Sequence, residues 1–395
     1  MDKYYDQVAS YIDAHRDEMV ALWRDLVNME GSSVEKENVD KVAKRLYDEF
    51  TAAGVQCELV DVGEKSPVAL KGIIGADRPG KPVIFGGHYD TVFKAGTFGP
   101  NPFKIVDGKA YGPGCLDMKP GIVISLYVIK ALESVGFNER PIKIIYAGDE
   151  EIGHNGSTAR ELFKAEGGGG AAAFNMETGL IDNCLCIGRK KGVGYFVKVH
   201  GKGAHAGAAF DQGRNAIIEM AHKMLDFAAL TDFSKGTTVN CGVIKGGTVS
   251  NAVPEWCEME IDSRYERVDE IERVRLAIEE ICKKNYIDGT TTTVEYDLTR
   301  GFPLFETTDK TLALLDFVNE VVTKHGFAKH GGKTQGGASD AAFFSTLGTP
   351  VLCSCGPLGE WNHTDREYAI VETLFDRAKE ISAVILNLKD FKYAN

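Results

Sequence analysis

Five side chains that can bind a divalent cation each follow an apolar, strand-like run. They are His88 in "VIFGGHYD", Asp117 in the glycine-rich turn "AYGPGCLDMKPG", Glu151 in "AGDEEIG", Glu177 in "FNME" and His363 in "EWNHTDRE". Two imidazoles and three carboxylates suit a pair of borderline divalent cations such as zinc, with one carboxylate bridging the two ions. Water held between two such ions has its pKa lowered toward neutrality, so the chemistry that this set predicts is hydrolysis.

Asp90 follows His88 by two residues and is better placed to hold its imidazole than to bind metal, since ligating histidines normally donate their other N–H to a carboxylate. The alternative for each single position is plainer. A histidine at a strand end is usually a satisfied polar residue, and the run Asp149, Glu150 and Glu151 is usually a solvated turn. Five candidates that all follow strands favour the ligand interpretation.

The elements that must bring these residues together alternate between strand and helix. The opening 29 residues have apolar side chains at helical spacing and predict one long amphipathic helix. After it, strand-like and helical runs alternate as far as "AAAFNME", which predicts an α/β fold with a largely parallel sheet. Ligand sites in such sheets lie at the carboxyl ends of the strands, where the five candidates stand.

The pattern changes at about residue 191. From there to residue 302 the order is β-α-β-β-α-β, that of a ferredoxin-like module, and after residue 303 the α/β rhythm resumes. We therefore predict a discontinuous catalytic domain of residues 1–190 and 303–395, interrupted by an inserted domain of residues 191–302. The edge strand of the module's sheet is available for pairing with a second copy.

Composition excludes several classes of partner. Among 395 residues, 45 Lys and Arg face 57 Asp and Glu, a formal net charge of −12, and no basic block interrupts the chain. We expect no nucleic-acid and no membrane partner. No signal peptide or membrane span is recognisable, so the sequence predicts a cytoplasmic protein. The nine cysteines show no C-x-x-C pair, and buried free thiols are the preferred interpretation over a zinc–thiolate site.

The motifs together resemble a known family. The set "GGHYDTV", "GPGCLDMKPG", "AGDEEIG", "FNMETG" and "WNHTDRE" is similar to that of the co-catalytic zinc metallopeptidases, which include aminoacylase, acetylornithine deacetylase, succinyl-diaminopimelate desuccinylase and glutamate carboxypeptidase. The resemblance continues in "GKGAHAGAAFDQGRNA", "GTVSNAVP", "DSRY" and "GGASDAAF". It implies a zinc-exopeptidase-like α/β fold, with a mostly parallel sheet covered by helices on both faces and an inserted ferredoxin-like α+β domain that serves as lid and dimerisation domain.

The resemblance also implies roles for individual residues. Two Zn²⁺ ions, for which Co²⁺ or Mn²⁺ are possible substitutes, are held by His88, Asp117 (bridging, with a cis peptide after it), Glu151, Glu177 and His363. Glu150 matches the general base and Asp90 the partner of the first histidine. In the module, His205 matches the histidine that reaches a neighbouring subunit's site to stabilise the oxyanion, and Asn251 and Arg264 match the pair that grips the substrate's carboxylate. Gly356 joins the candidate substrate-binding residues.

Wording and spacing lean toward glutamate carboxypeptidase, as in "AHAGAAFDQGRNA", "TVSNAVP" and "LTRGFPLFE". The predicted activity is cleavage of an amide next to a free α-carboxylate in a small-molecule or peptide substrate, releasing an amino acid such as glutamate. The alternatives are an N-acyl amino-acid deacylase, a dipeptidase or an inactive metal-bearing binding protein. Phe210, where the family commonly has proline, and Pro120 in "DMKPG" are departures that leave the substrate open. For Arg264 a surface salt bridge with Glu266 or Glu258 is the plainer alternative, and for His205 it is turn packing.

Overall fold

The computed structural model describes residues 3–299 and 301–394. The chain forms two compact units, each of which is described by itself. Unit 1 comprises residues 1–188, 307–335 and 339–395, and unit 2 comprises residues 189–306 and 336–338.

The bounds of the elements follow in chain order. The helices are α1 (Lys3–Ala14), α2 (Arg16–Asn28), α3 (Lys36–Ala52), α4 (Lys119–Ser134), α5 (Ala159–Glu166), α6 (Ala216–Ala228), α7 (Val268–Lys283), α8 (Asp309–Lys324), α9 (Ala341–Thr346) and α10 (Val371–Asn387). The strands are β1 (Gln56–Val60), β2 (Ala69–Ile74), β3 (Val83–His88), β4 (Lys104–Val106), β5 (Lys109–Tyr111), β6 (Ile142–Ala147), β7 (Ala172–Asn175), β8 (Gly179–Leu180), β9 (Leu185–Arg189), β10 (Lys191–His200), β11 (Ala204–His205), β12 (Thr238–Gly246), β13 (Ala252–Val253), β14 (Trp256–Tyr265), β15 (Thr291–Tyr296), β16 (Gly332–Gln335), β17 (Val351–Leu352), β18 (Leu358–Glu360) and β19 (Tyr368–Ile370).

The main sheet of unit 1 has the order β1-β2-β6-β3-β7-β17. The strands β6, β3, β7 and β17 run parallel, whereas β1 and β2 pair antiparallel at one edge. Every residue of β3 is buried, as expected for a strand covered by helices on both faces. The predicted α/β fold with a mainly parallel sheet and helices is confirmed.

The parallel register sets the positions of the strand ends. His88, the last residue of β3, lies opposite Ala147, the last residue of β6, and Gly86 of β3 lies opposite Asn175 of β7. The chain therefore leaves three neighbouring strands at one edge of the sheet. A second sheet, with the order β4-β5-β19-β18-β8, pairs Tyr368 with Tyr111 and holds the turn that contains His363.

Unit 2 contains β10, α6, β12, β14, α7 and β15, with the short strands β11 and β13 between them. Its four-stranded sheet has the order β12-β14-β10-β15, and every pairing is antiparallel. Burial alternates along β10 because one face packs on α6 and α7 and the other faces outward. Behind the sheet, the buried Lys223 ammonium pairs with Glu219 at 3.1 Å and donates to the carbonyl of Ile281, which ties α6 to the end of α7.

The prediction of one helix over the first 29 residues is wrong. Two helices meet at His15, whose φ of −110° and ψ of 16° leave the helical range. The His15 ring nitrogen Nδ1 hydrogen-bonds the carbonyl of Tyr11 at 2.7 Å, and the His15 N–H bonds Ile12 instead. The side chain thus occupies the acceptor that a continuous helix would use.

In the described residues, no helix is long and apolar enough to cross a membrane.

Candidate metal centre

Four of the five predicted ligands lie on segments that leave the main sheet or enter α4. His88 ends β3, Glu177 follows β7 by two residues, and Glu151 lies in a short 3-10 turn directly after β6. Asp117 stands two residues before α4 and is followed by the predicted cis peptide bond to Met118. His363 comes from the turn between β18 and β19.

These residues form two groups that share Asp117. The first is His88, Asp117 and Glu177, and the second is Asp117, Glu151 and His363; within each group the ligand atoms lie within 4.8 Å of one another. His88 Nε2 is 3.3 Å from Asp117 Oδ1 and 3.6 Å from Glu177 Oε1. His363 Nε2 is 3.1 Å from both Asp117 Oδ2 and Glu151 Oε2. One carboxylate therefore offers one oxygen to each group.

The electrostatics of the groups fit a pair of cations. Asp117 Oδ1 and Glu151 Oε1 are buried and accept no hydrogen bond from the described residues, an arrangement that is costly without a positive partner. Hydrogen bonds to Asp117 and Glu151 raise the pKa of His363 to about 10. Burial alone would lower the pKa of His88, but Glu150, Asp117, Asp90 and Glu177 raise it well above its usual value. The oxygen-rich, two-imidazole donor set suits borderline divalent ions.

Glu150 is buried beside the first group but belongs to neither. Its Oε2 is 3.9 Å from His88 Nε2, farther than the carboxylates of Asp117 and Glu177. Burial, followed by the charge of Glu177 and other carboxylates, raises the pKa of Glu150 well above its usual value, although His88 lowers it. A buried carboxyl with a raised pKa close to a metal-binding group is suited to accept and release a proton.

Asp90 connects the first histidine with the turn after β6. Its Oδ1 lies 3.2 Å from His88 Nδ1, and its oxygens accept the backbone N–H groups of Glu150 at 3.3 Å and Glu151 at 3.2 Å. Ser33 Oγ donates to Asp90 Oδ2 at 2.6 Å. Burial raises the pKa of Asp90, but His88, Ser33 and the Glu151 N–H lower it below its usual value. The carboxylate orients the ring and the turn together.

Two residues that hold Asp117 were not singled out from the sequence. Glu367 accepts the backbone N–H groups of Leu116 at 2.8 Å and Asp117 at 3.0 Å, and Asn362 Nδ2 donates to Asp117 Oδ2 at 3.0 Å. Burial, followed by the charge of Asp117, raises the pKa of Glu367 to about 7. Both residues flank His363 in "EWNHTDRE", and that proximity to a predicted ligand was the available signal.

The three candidate residues of the inserted module all lie in unit 2. His205 is exposed, and its Nδ1 accepts the N–H groups of Gly207 at 3.1 Å and Ala208 at 3.2 Å. The neutral ring therefore carries its proton on Nε2, which is a donor. Asn251 is exposed, and its carbonyl accepts the Ala206 N–H. Arg264 Nε pairs with Asp262 at 2.9 Å, not with the Glu266 or Glu258 of the plainer alternative.

Gly356 is buried in unit 1, and its N–H donates to the carbonyl of Glu177 at 2.8 Å. A β-carbon at this position would lie 2.6 Å from the same carbonyl, so the glycine allows the loop to approach the Glu177 strand end. Because that N–H is already used, it is not a donor for substrate. The predicted contact of Gly356 with substrate stays a prediction.

A mainly parallel α/β sheet whose strand ends place His88, Glu151 and Glu177 beside Asp117 and His363 is typical of metal-dependent hydrolases. Comparison with known proteins gives the family. The sequence model of peptidase family M20/M25/M40 matches residues 84–387 of the chain. The chain belongs to that family. It is therefore an enzyme of the metallopeptidase and amidohydrolase type.

Individual relatives have several activities. The chain is 29% identical to carboxypeptidase G2 of Pseudomonas sp. (strain RS-16) over 372 residues, covering 92% of this chain and 87% of that protein. It is 29% identical to acetylornithine deacetylase of Myxococcus xanthus over 283 residues, covering 68% of each. The family resemblance predicted from the motifs is confirmed.

Solved structures share the fold. Aminopeptidase PepT from Bacillus cereus superposes with a TM-score of 0.80 at 21% identity, covering 95% of this chain and 99% of that one. YXEP of Bacillus subtilis, described as a dinuclear metal-binding peptidase of family M20, gives a TM-score of 0.69 at 15% identity, covering 96% and 99%.

Proposed function

We propose that the protein is a dizinc hydrolase that cleaves an amide bond adjacent to a free α-carboxylate, in the manner of a carboxypeptidase, and that glutamate is a released amino acid. The observation that carries the proposal is the pair of groups sharing Asp117, with Glu150 beside them and outside both. The similarity to carboxypeptidase G2 over 92% of the chain supports the carboxypeptidase assignment.

In this proposal His88, Asp117 and Glu177 hold one ion, and Asp117, Glu151 and His363 hold the other. The ions supply a polarised substrate carbonyl and an acidified water. Glu150 takes a proton from the attacking water as its oxygen bonds to the carbonyl carbon, and then passes that proton to the nitrogen as the C–N bond breaks. Asp90 fixes the position of the His88 ring relative to the turn that carries Glu150. The His205 Nε2–H is a donor for the developing oxyanion.

Arg264 and Asn251 are proposed to bind the free carboxylate of the substrate. The Arg264 guanidinium uses Nε for Asp262, and its side chain is 44% exposed. A planar guanidinium suits a carboxylate because it can donate two parallel hydrogen bonds. Exposed Asn251 adds an amide donor in the same unit.

The second candidate function is that of an N-acyl amino-acid deacylase. The similarity to acetylornithine deacetylase supports it, and the same metal groups and base would serve an acyl amide equally well. A released-product assay with zinc present separates the two, using dipeptides with a C-terminal glutamate, N-acetylornithine and N-succinyl amino acids. The proposal expects the highest kcat/KM for peptides from which a C-terminal amino acid such as glutamate is released. Preference for N-acetylornithine or the N-succinyl compounds would favour the deacylase instead.

Replacing Arg264 by alanine is expected to separate carboxylate reading from catalysis. Loss of a charge-assisted hydrogen bond is worth about 1.5–3 kcal/mol, so kcat/KM should fall roughly 10- to 100-fold for substrates with a free carboxylate. The corresponding carboxamides should lose little. Steady-state kinetics on matched acid and amide substrates measure this difference.

Arg267→Ala is the matched control, because Arg267 is an exposed arginine that pairs with Asp269 and has no proposed role. It should leave both substrates unchanged. Equal losses for acid and amide substrates in Arg264→Ala would mean that Arg264 does not read the carboxylate.

We also propose a homodimer formed through unit 2. The edge strand β12 and the helix α6 that packs beside it expose large apolar side chains, namely Ile218, Leu225, Val243 and Ile244, which are 46%, 68%, 42% and 48% exposed. Exposed apolar residues on an unpaired strand edge and its neighbouring helix suit a second copy of the same surface. A dimer of this kind would allow His205 to act on the partner's metal centre.

Mixing two inactive variants tests this arrangement. His205→Ala lacks the oxyanion donor, and Glu150→Gln lacks the base. If His205 acts in trans, random reassociation of equal amounts makes half of the dimers heterodimers. Each heterodimer has one complete site out of two, so about one quarter of the parental activity should return. Sedimentation should show dimers. A fully active monomer, or no recovery in a mixture shown to exchange subunits, would contradict the proposal.

A further inference from the structure

A buried chain of three side chains lies next to the metal centre and has no part in the chemistry proposed so far. His154 Nδ1 is 2.7 Å from Asp149 Oδ1, and His154 Nε2 is 2.8 Å from Asp340 Oδ1. All three side chains are fully buried. We call Asp149, His154 and Asp340 the histidine bridge.

The histidine bridge is bonded at both ring nitrogens. Each nitrogen faces a carboxyl oxygen; with both carboxylates ionised these oxygens only accept, so both nitrogens carry a proton and the ring is an imidazolium. Burial lowers the pKa of His154, but Asp340 and Asp149 raise it to about 9. Asp149 Oδ2 and Asp340 Oδ2 are buried without a hydrogen-bond partner among the described residues, so Oδ1 is the atom through which each carboxylate is held.

The backbone between Asp149 and His154 is a closed turn. The His154 N–H bonds the Asp149 carbonyl at 3.0 Å, and the Gly153 N–H bonds the Glu150 carbonyl at 2.7 Å. Gly153 and His154 both have left-handed φ angles, of 65° and 54°. For a residue with a β-carbon that conformation costs roughly 1–2 kcal/mol, which the two ring hydrogen bonds offset. The imidazole also packs against Phe163 and Phe343, with centroid distances of 5.8 and 6.1 Å, and these two rings stack on each other at 5.5 Å.

The turn that carries Glu150 and Glu151 is anchored on two sides, and Arg160 Nη2 also donates to the carbonyl of Gly153 at 2.5 Å. On one side Asp90 accepts their backbone N–H groups. On the other side the histidine bridge fixes Asp149, the residue directly before them, to Asp340 at the start of α9. Asp340 is 186 residues from His154 along the chain, so the second anchor is a tertiary one.

We propose that His154 is a positioning residue: through its bonds to Asp149 and Asp340 it fixes the turn that places Glu150 and Glu151 at the metal centre. This inference rests on the proposed roles of those two glutamates. A displacement of about 1 Å in a reacting group can cost roughly 100-fold in rate. Loss of the second anchor should therefore lower kcat, although His154 touches neither substrate nor metal.

Two variants and one control test the proposal. His154→Phe keeps an aromatic ring packed against Phe163 and Phe343 and removes both bonds, and Asp340→Asn keeps the shape of the acceptor and removes its charge. Leu46→Ala is the control, because Leu46 is a fully buried core residue of α3 in the same unit with no proposed role in the site. A core leucine truncation lowers stability in general. Leu46→Ala therefore shows how much global destabilisation alone changes the exchange rates and kcat.

The first measurement is hydrogen exchange in metal-free protein, which requires no turnover and so tests the bridge independently of the proposed substrate and mechanism. Amides of residues 149–154 should exchange at least about 10-fold faster in both variants, and not in Leu46→Ala, because only the variants open this turn locally. The second is steady-state kinetics at saturating metal, with any substrate that the parent hydrolyses. We expect kcat to fall roughly 10- to 100-fold with KM changed less than about threefold.

The double variant adds a readout that a purely structural role would not move. If the bridge acts as one unit, His154→Phe with Asp340→Asn should have a kcat no lower than that of His154→Phe alone. Faster exchange with unchanged kcat, reduced kcat with unchanged exchange, or changes in both no larger than in Leu46→Ala would each overturn the proposal. If His154→Phe does not fold, Asp340→Asn carries the same two measurements.

Discussion

Glu150→Gln is expected to keep both metal ions and lose turnover by about 10²- to 10⁴-fold, the range that a positioned general base contributes. The substitution preserves the size of the side chain and removes its ability to accept a proton. Metal should be retained because Glu150 Oε2 is farther from His88 Nε2 than the oxygens of Asp117 and Glu177 are. Steady-state kinetics and metal analysis on the same preparation measure the two quantities.

Glu151→Gln is the matched control, because it makes the same change one residue along the same turn. Glu151 Oε2 lies 3.1 Å from His363 Nε2 in the second group, so this variant should bind metal less tightly. The pair therefore separates proton transfer from metal binding within one turn. An active Glu150→Gln enzyme with full metal content would remove Glu150 from the mechanism.

Removal of metal by a chelator is expected to abolish hydrolysis, and added zinc to restore it. Polarisation of the carbonyl and acidification of water contribute several kcal/mol, so we expect activity to fall at least roughly 1000-fold. Cobalt and manganese should restore it in part, since both accept the same nitrogen and oxygen donors. Titration of metal-free protein with zinc, followed by activity and by calorimetry, gives the stoichiometry.

Asp117→Asn tests the bridging role in the same experiment. Asp117 offers Oδ1 to one group and Oδ2 to the other. This single change should therefore lower the affinity for both ions, whereas Glu177→Gln should lower the affinity for one. Circular dichroism of the metal-free parent controls for unfolding. Full activity in chelator-treated protein verified to be metal-free would reject the metal-dependent mechanism.

The sequence predicted the site best where function follows from position along a strand. The predicted ligands that follow β3, β6 and β7 must meet because the strands are parallel, and the structure brings them together. What the sequence could not show depends on side-chain bonds across long separations. Glu367 holds Asp117 across 250 residues, and Asp340 holds His154 across 186. Neither bond has a local signature.

Local competition for hydrogen bonds accounts for other features that the sequence did not predict. The break at His15 follows from a ring nitrogen that takes the carbonyl of Tyr11, and apolar periodicity carries no information about that choice. Arg264 has several acidic neighbours in sequence, and only the geometry of β14 selects Asp262. The substrate-binding roles of Asn251, Arg264 and Gly356, the lid role of unit 2 and the cytoplasmic location stay predictions.

The division of the chain into units has a consequence for the order in which they form during biosynthesis. Residues 189–306 of unit 2 are consecutive and contain its whole four-stranded sheet, whereas the main sheet of unit 1 is completed by β17, which pairs with β7 some 180 residues earlier. On the ribosome, the whole sheet of unit 2 therefore leaves the exit tunnel while β7 still has an open edge. The proposed metal centre forms later still, since His363 is the last of its predicted ligands to be synthesised and follows β17 in the chain.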